Sequence, residues 1–241
     1  MSNTNAPHVI CHMMTTIDGK ITSADATDIL SENYFDLYTK TEDMLGEVQG
    51  YLLGRVTMQM FASKEQSVLP SSSGSVEHEN YYAPHNATQF LFGVDTKGVL
   101  RWDRNQIEFS NVAIPLHLVI VVTQETPKEY LSYLKDKEIS YMVAGQKEID
   151  FKSLFGVMKE KFGVSTLLVE GGGILNGSVL QDDLIDEISL LITPTVVNQK
   201  DAPALFERKE DQTLNLKTFS LASVEKLDKD TLWIRYTRTT V

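Results

Sequence analysis

The stretch Thr166-Leu167-Leu168-Val169-Glu170-Gly171-Gly172-Gly173-Ile174-Leu175-Asn176 decides how this chain is organised. Four β-prone apolar residues make a short buried strand, an acid sits at its end, and three glycines lead into a helix beginning near Ile174. Just upstream, Phe151, Leu154, Phe155, Met158 and Phe162 recur at helical spacing. Asp150 stands before them as N-cap and Gly163 after them as a C′ glycine. Ser140 to Ala144 reads as a strand ahead of that helix. Strand, helix, strand, glycine loop, helix is a βαβ layout with a parallel sheet.

Outward from this unit the pattern stays α/β. His8 to Thr16 is an apolar strand that runs into the turn-forming pair Asp18-Gly19. Ser31, as N-cap, opens a helical stretch to about Val48, with Phe35, Tyr38, Leu45 and Val48 facing inward. Tyr51 to Leu53 is a short strand stopped by Gly54, and Ser63 to Asn80, rich in Ser, Gly and charge, has no period and reads as a loop. Strands are expected near Gln89 to Phe92 and at Leu116 to Thr123, the latter central and covered on both faces, with a helix at Lys128 to Lys137. Glu187 to Val197, Phe219 to Lys226 and Leu232 to Arg238 read as antiparallel strands, the last two joined at Asp228-Lys229-Asp230. The expectation is one α/β domain over residues 1–241, with a central mixed, mostly parallel sheet, helices on both faces and an antiparallel C-terminal hairpin.

The 241 residues hold 22 Lys+Arg against 33 Asp+Glu, a formal charge of −11. That balance repels nucleic-acid backbone and anionic lipid, and points to a small-molecule partner. No apolar run approaches the roughly 20 residues needed to span a bilayer. Met1 to His8 lacks the features of a secretory leader, and Cys11 is the only cysteine, so no internal disulfide is expected and a cytoplasmic setting is.

Glycines between a strand end and a helix start suit an anion, because exposed amides and the helix dipole favour negative charge and the missing Cβ allows close approach. The dinucleotide fingerprint does not fit: counting from Gly171, its third glycine falls on Asn176. Gly172 to Ser178 has the spacing of a phosphate loop without its lysine. The alternative is that these glycines only permit close packing. Gly54-Arg55-Val56-Thr57 is a second strand-to-helix junction whose guanidinium and hydroxyl suit a phosphate, or an ordinary helix start with a surface arginine. His8, Cys11 and His12 lie close together, but on a strand and without H-x-E or C-x-x-C company, so no metal is expected. Tyr81-Tyr82 reads as a loop anchor.

The glycine stretch, followed by Leu184-Ile185-Asp186-Glu187-Ile188 and Ile192-Thr193-Pro194, resembles the reductase domain of riboflavin biosynthesis, the C-terminal half of the bifunctional deaminase-reductase. Thr15-Thr16-Ile17-Asp18-Gly19-Lys20-Ile21 resembles that family's N-terminal S-L-D-G-K-I signature. The resemblance implies a dihydrofolate-reductase-like three-layer α/β/α fold, NADPH as hydride donor and a homodimer. By motif, Gly171, Gly172, Gly173, Leu175 and Asn176 would embrace the pyrophosphate, and Gly54, Arg55 and Thr57 would contact the adenosine-side phosphates. Thr123 would lie near the adenosine and Ile21 would border the nicotinamide beside Asp18.

Asp18 is the expected catalytic residue. Reducing C=N or C=O by hydride requires a proton for the heteroatom. An aspartate ionised at neutral pH must be desolvated, or act through an oriented water, to supply it. The chain has no deaminase half, since one cysteine cannot furnish that domain's zinc site. It also departs from the riboflavin reductases after the first loop, where their tryptophan, serines and D-D-P segment are missing. Gly54-Arg55-Val56-Thr57-Met58-Gln59-Met60-Phe61 instead resembles stand-alone members and dihydrofolate reductase. The expectation is an NADPH-dependent reductase of a pyrimidine-like or pterin-like compound. The alternatives are the riboflavin-pathway reductase proper and a non-catalytic nucleotide-binding protein on the same fold.

Overall fold

A computed structural model describes residues 5–22, 29–64, 69, 76–108, 115–208 and 216–239. In chain order the elements are β1 (His8–Thr15), α1 (Ile29–Asp43), β2 (Gly50–Leu53), α2 (Arg55–Met58), β3 (Phe90–Val94), β4 (Gln106–Ile107), β5 (Leu116–Val122) and α3 (Lys128–Asp136). There follow β6 (Ser140–Val143), α4 (Phe151–Phe162), β7 (Thr166–Val169), α5 (Gly173–Gln181), β8 (Glu187–Ile192), β9 (Phe219–Lys226) and β10 (Leu232–Arg238). By internal contacts the chain divides into two compact units, Met1–Pro7 with Gln49–Ser165, and His8–Val48 with Thr166–Val241.

In the first unit, β5 pairs in parallel with β3, and β3 with β2; the other edge of β5 carries antiparallel β4 and parallel β6. All seven β5 residues are buried, as its unbroken β-branched run implies. Helix α4 behaves as its sequence reads. The Asp150 carboxylate accepts from Ser153 N–H at 3.0 Å, Gly163 closes the helix in the left-handed region at φ 66°, and all five periodic apolar residues are buried. Phe162 meets Phe90 edge-on with ring centroids 5.0 Å apart. Tyr81 exchanges backbone hydrogen bonds with Tyr141 on β6, so it does anchor its segment. Most of the expected loop at Ser63 to Asn80 lies outside the described residues.

In the second unit the strand order is β7, β1, β8, β10, β9. β1 is parallel to both neighbours, with Ile10 opposite Leu168 on one side and Glu187 on the other. β10 is antiparallel to β8 and to β9. The core gathers Met14, Leu191 and Trp233 from the strands with Leu37 of α1.

The order β6, α4, β7, glycine loop, α5 is as expected, with β6 pairing with β5 and β7 with β1, and β1 is inserted between β7 and β8. Two expectations change. β8 ends at Ile192 and is parallel to β1, antiparallel only to β10. Helix α1 begins at Ile29, so Ser31 lies within its first turn rather than capping it, and it ends at Asp43. Of the expected inward residues Tyr38 and Leu45 pack on the core beside Leu37, 3% exposed, and Val48 is buried, whereas Phe35 faces out at 44%.

Candidate functional site

In parallel α/β sheets ligands bind outside the carboxyl ends of the strands, and the second unit gathers its candidate residues there. β1 runs on into Thr16-Ile17-Asp18-Gly19-Lys20-Ile21. Thr16 Oγ1 donates to Asp18 Oδ1 at 2.5 Å, Val197 N–H donates to the same oxygen at 3.2 Å, and Asn198 N–H donates to Oδ2 at 2.9 Å. These donors, the Thr16 hydroxyl foremost, hold the carboxyl at a pKa of about 2. Asp18 is exposed, so of the two routes to proton delivery the desolvated one is not built. Gly19 sits at φ 73°, a conformation that favours glycine.

The segment after β8 is stitched across this turn. Lys20 forms a bridge with Ala204, Ile21 N–H donates to Pro203 O at 3.0 Å, and Leu205 N–H donates to Gly19 O at 3.3 Å. The same segment lies against α5, where Glu207 N–H donates to Gly173 O at 2.9 Å and Asn176 Nδ2 donates to Leu205 O at 2.9 Å.

The three glycines have different jobs. Gly171 adopts φ 92°, and a Cβ there would meet Met13 Cε at 3.1 Å. At Gly173 a Cβ would strike Ala204 O, and at Gly177 it would strike Glu207 O. Close packing therefore accounts for Gly173 and Gly177. Gly172 is open, its nearest neighbour being Ile21 Cδ1 at 3.9 Å from a Cβ position. It precedes α5, no side chain caps that helix, and the first turn carries no acid. Asn176 N–H closes on Gly172 O at 3.1 Å, so the earlier amides precede the helical ladder. Gly172 is the one glycine of the three whose missing side chain leaves space.

Leu175 and Asn176 are buried. Asn176 serves the loop through its side chain and the helix through its amide, which places it beneath the glycine turn rather than on its surface. Glu170, assigned no role from sequence, follows β7 and shares the Tyr38 hydroxyl with the carbonyl of His12. Burial and the Glu42 charge push its carboxyl up to about 8, and Tyr38 Oη donates to it at 2.8 Å. Its signal was an acid directly before three glycines.

In the first unit Gly54 ends β2 in extended conformation and precedes α2. Met58 of α2 lies under β3, where a Cβ on Gly93 would meet its Cε at 2.6 Å. Arg55 and Thr57 are half-buried, and the Arg55 guanidinium has no ion-pair or hydrogen-bond partner among the described residues. Thr123 follows β5 and is buried; its N–H donates to Thr126 Oγ1 at 3.0 Å, which donates to Thr96 O at 2.8 Å. Gly54 and Thr123 stand at the carboxyl ends of β2 and β5, which flank β3, so two strand spacings of about 4.8 Å separate those strands.

His8 and His12 go to different partners, His8 to Asp186 and Glu187 at 3.7 and 3.9 Å, His12 to Ser189 Oγ at 3.0 Å. Among the described residues no group of three or more metal-ligating side chains comes together. No described helix is long and apolar enough to cross a membrane.

A mixed, mostly parallel sheet with antiparallel C-terminal strands, and a glycine turn opposite a Thr-x-Asp-Gly-Lys turn, define an α/β protein of the dihydrofolate-reductase-like class. The profile of the RibD C-terminal domain matches residues 7–233, and the chain belongs to that family. It is 24% identical over 202 residues to the 2,5-diamino-6-ribosylamino-4(3H)-pyrimidinone 5′-phosphate reductase of Aquifex aeolicus, covering 83% of this chain and 82% of that protein. Among solved structures, a pyrimidine reductase-like protein from Corynebacterium diphtheriae superposes with a TM-score of 0.69 at 15% identity, over 98% of this chain and 93% of that one. Acinetobacter baumannii RibD gives 0.66 at 18% identity over 98% of this chain, which spans 59% of that protein's length. Relatives in the family are reductases of the riboflavin pathway, which places the chain among oxidoreductases at family level.

Proposed function

We propose that the chain is an NADPH-dependent reductase that delivers a hydride to a pyrimidine-like or pterin-like small molecule. The observation that carries the reading is Gly172, an open backbone position at the start of α5, facing Ile21 on the turn that holds Asp18. Open glycine and early helix amides suit the pyrophosphate and Ile21 the nicotinamide ring; the adenosine side is what the family resemblance assigns to Gly54, Arg55, Thr57 and Thr123. Bound NADPH supplies the hydride.

Asp18, held as an anion by three donors, would orient a water that protonates the substrate heteroatom. Thr16 and the amides of Val197 and Asn198 keep that carboxylate fixed. Within the proposal the protein acts in the cytoplasm, which its lone cysteine suits, and as a homodimer, as the family resemblance implies. The relatives' compound, 2,5-diamino-6-ribosylamino-4(3H)-pyrimidinone 5′-phosphate, is the first substrate to try. Calorimetric titration with NADPH is the primary test: saturable binding below millimolar concentration is expected, and its absence would overturn the reading.

A further inference from the structure

Strands β8, β10 and β9 of the second unit form an antiparallel ladder whose two faces differ. Residues directly opposite one another share a face, so Leu191–Trp233–Glu225 and Ser189–Arg235–Ser223 make two rows on one side. There Leu191 and Trp233 pack with Leu37 of α1. The other side carries the rows Ile192–Leu232–Lys226, Leu190–Ile234–Val224 and Ile188–Tyr236–Leu221, apolar or aromatic at every place but Lys226. Exposure rises outward across it: Ile188 is buried, Leu190 and Ile234 are half-buried, and Leu232, Val224 and Leu221 stand 39%, 52% and 58% in solvent. A sheet covered on one face alone has its apolar residues on that face. β9 does the reverse, with Ser220, Ser223 and Glu225 on the α1 side and Leu221 and Val224 on the far side, so its pattern requires a cover there.

Three strands about 4.8 Å apart and about seven residues long span on the order of 300 Å². That is the size of a functional patch on a monomer, and it suits the dry centre of an interface that buries about 800 Å² per partner. An open sheet face has no enclosing walls, so a small molecule gains little on it. The charges then select the partner. At −11 the chain repels its own copies in general, yet the three rows hold no acid. Their one charge, Lys226, is paired with Asp230 at 2.7 Å, and Arg238 at the other end of the same face is paired with Asp186 at 2.6 Å. A basic protein would meet no carboxylate in these rows, and an acidic protein or anionic lipid would meet two cations already taken. What fits is a second apolar sheet face without acids, and a second copy of this chain brings one.

We propose that the outward face of β8, β10 and β9 packs on the same face of a second copy about a two-fold axis, with Leu190, Ile234, Val224 and Leu221 at the centre and Lys226 and Arg238 at the rim. It rests on the homodimer within the proposed function and is independent of the chemistry there. Sedimentation equilibrium of the full chain at micromolar concentration tests it, and the parent is expected at the mass of two chains. Leu221→Glu places a carboxylate in the face of both copies and is expected to weaken dimerisation about 100-fold or more. Val224→Gln, which adds no charge, is expected to weaken it about tenfold. Ser220→Glu adds the same charge one residue away on the α1 side and should leave it within about threefold of the parent. All three positions are exposed, so circular dichroism should show a native fold in each variant, and if Leu221→Glu does not fold, Val224→Gln decides. A dimer that Leu221→Glu and Val224→Gln leave intact would overturn the assignment of this face while the homodimer stands, as would an equal loss from Ser220→Glu. A parent that sediments as a single chain would overturn the homodimer and this face together.

Discussion

Tyr38 on α1 places its hydroxyl 2.8 Å from Glu170 Oε1 and 2.9 Å from the carbonyl of His12, so one phenol ties the helix to the middle of β1 and to the residue that follows β7. The carboxyl it meets is enclosed and lies near the Glu42 charge, which together favour the protonated acid. A neutral acid therefore abuts the glycine turn proposed to take an anion, and this avoids a repulsion that an ordinary glutamate would impose.

Titration of Glu170 should show in stability. The folded chain holds this proton more tightly than the unfolded chain, whose carboxyl has its ordinary value of 4.5. The stabilisation is thus complete below about pH 4.5, declines as pH rises, and is lost once pH passes about 8. Glu170→Gln keeps an acceptor for Tyr38 without the charge. Its melting temperature should match the parent's at pH 4.5 and exceed it at pH 8.5 by on the order of 5 °C. Parallel melting curves for the two proteins across that range would show that Glu170 is ionised in the fold.

The glycine turn separates packing from binding. Gly173→Ala and Gly177→Ala each drive a Cβ into the backbone of the 204–207 segment, and should cost about 3 kcal/mol in denaturant unfolding. Gly172→Ala puts its methyl into open space, so stability should change by less than about 0.5 kcal/mol while NADPH affinity falls. A Gly172→Ala protein that unfolds early, or binds NADPH unchanged, would move the pyrophosphate elsewhere.

How much of this was legible in the sequence depended on how local the determinants were. Helix α4 could be read whole because both caps, Asp150 and Gly163, lie within the segment and its apolar stripe is regular. Helix α1 could not: Ser31 resembles an N-cap in composition, yet the helix was already under way, and Leu37 rather than Phe35 met the core formed by Trp233 and Leu191. β4 is two residues long and has no period to detect. The direction of β8 is set by pairing with β1, a partner some 180 residues away, which hydrophobic pattern does not encode. The site divides in the same manner. Asp18-Gly19 was visible as a turn, but the donors that fix its carboxylate include the amides of Val197 and Asn198. Glu170 was visible as a residue, and its unusual acidity arises only when α1 covers it.

Asp18 gives a kinetic prediction with a pH signature. Its depressed pKa means that the carboxylate's contribution to the fold is present above the ordinary value of 3.8 and is lost only as pH falls through about 2. No break in turnover between pH 4 and 9 should therefore belong to this residue. Asp18→Asn should lower the rate of substrate reduction about 100-fold with NADPH affinity unchanged, since the loss is one of proton delivery. Stopped-flow oxidation of NADPH in the presence of substrate checks it; an unaffected rate would mean that the proton comes from another group or directly from solvent.

Arg55 should decide between the two nicotinamide cofactors. The chain carries a formal charge of −11, so a polyanionic cofactor has to be met by local groups, and this guanidinium is unpaired among the described residues at the end of β2. If it meets the 2′-phosphate that NADPH has and NADH lacks, then Arg55→Gln removes a charge-assisted contact made with only one of the two. NADPH affinity should fall about tenfold or more, with NADH affinity held within about twofold. Raising salt should weaken NADPH binding to the parent more than to the variant, because the lost interaction is the screened one. Equal losses for both cofactors would place Arg55 on a phosphate that they share.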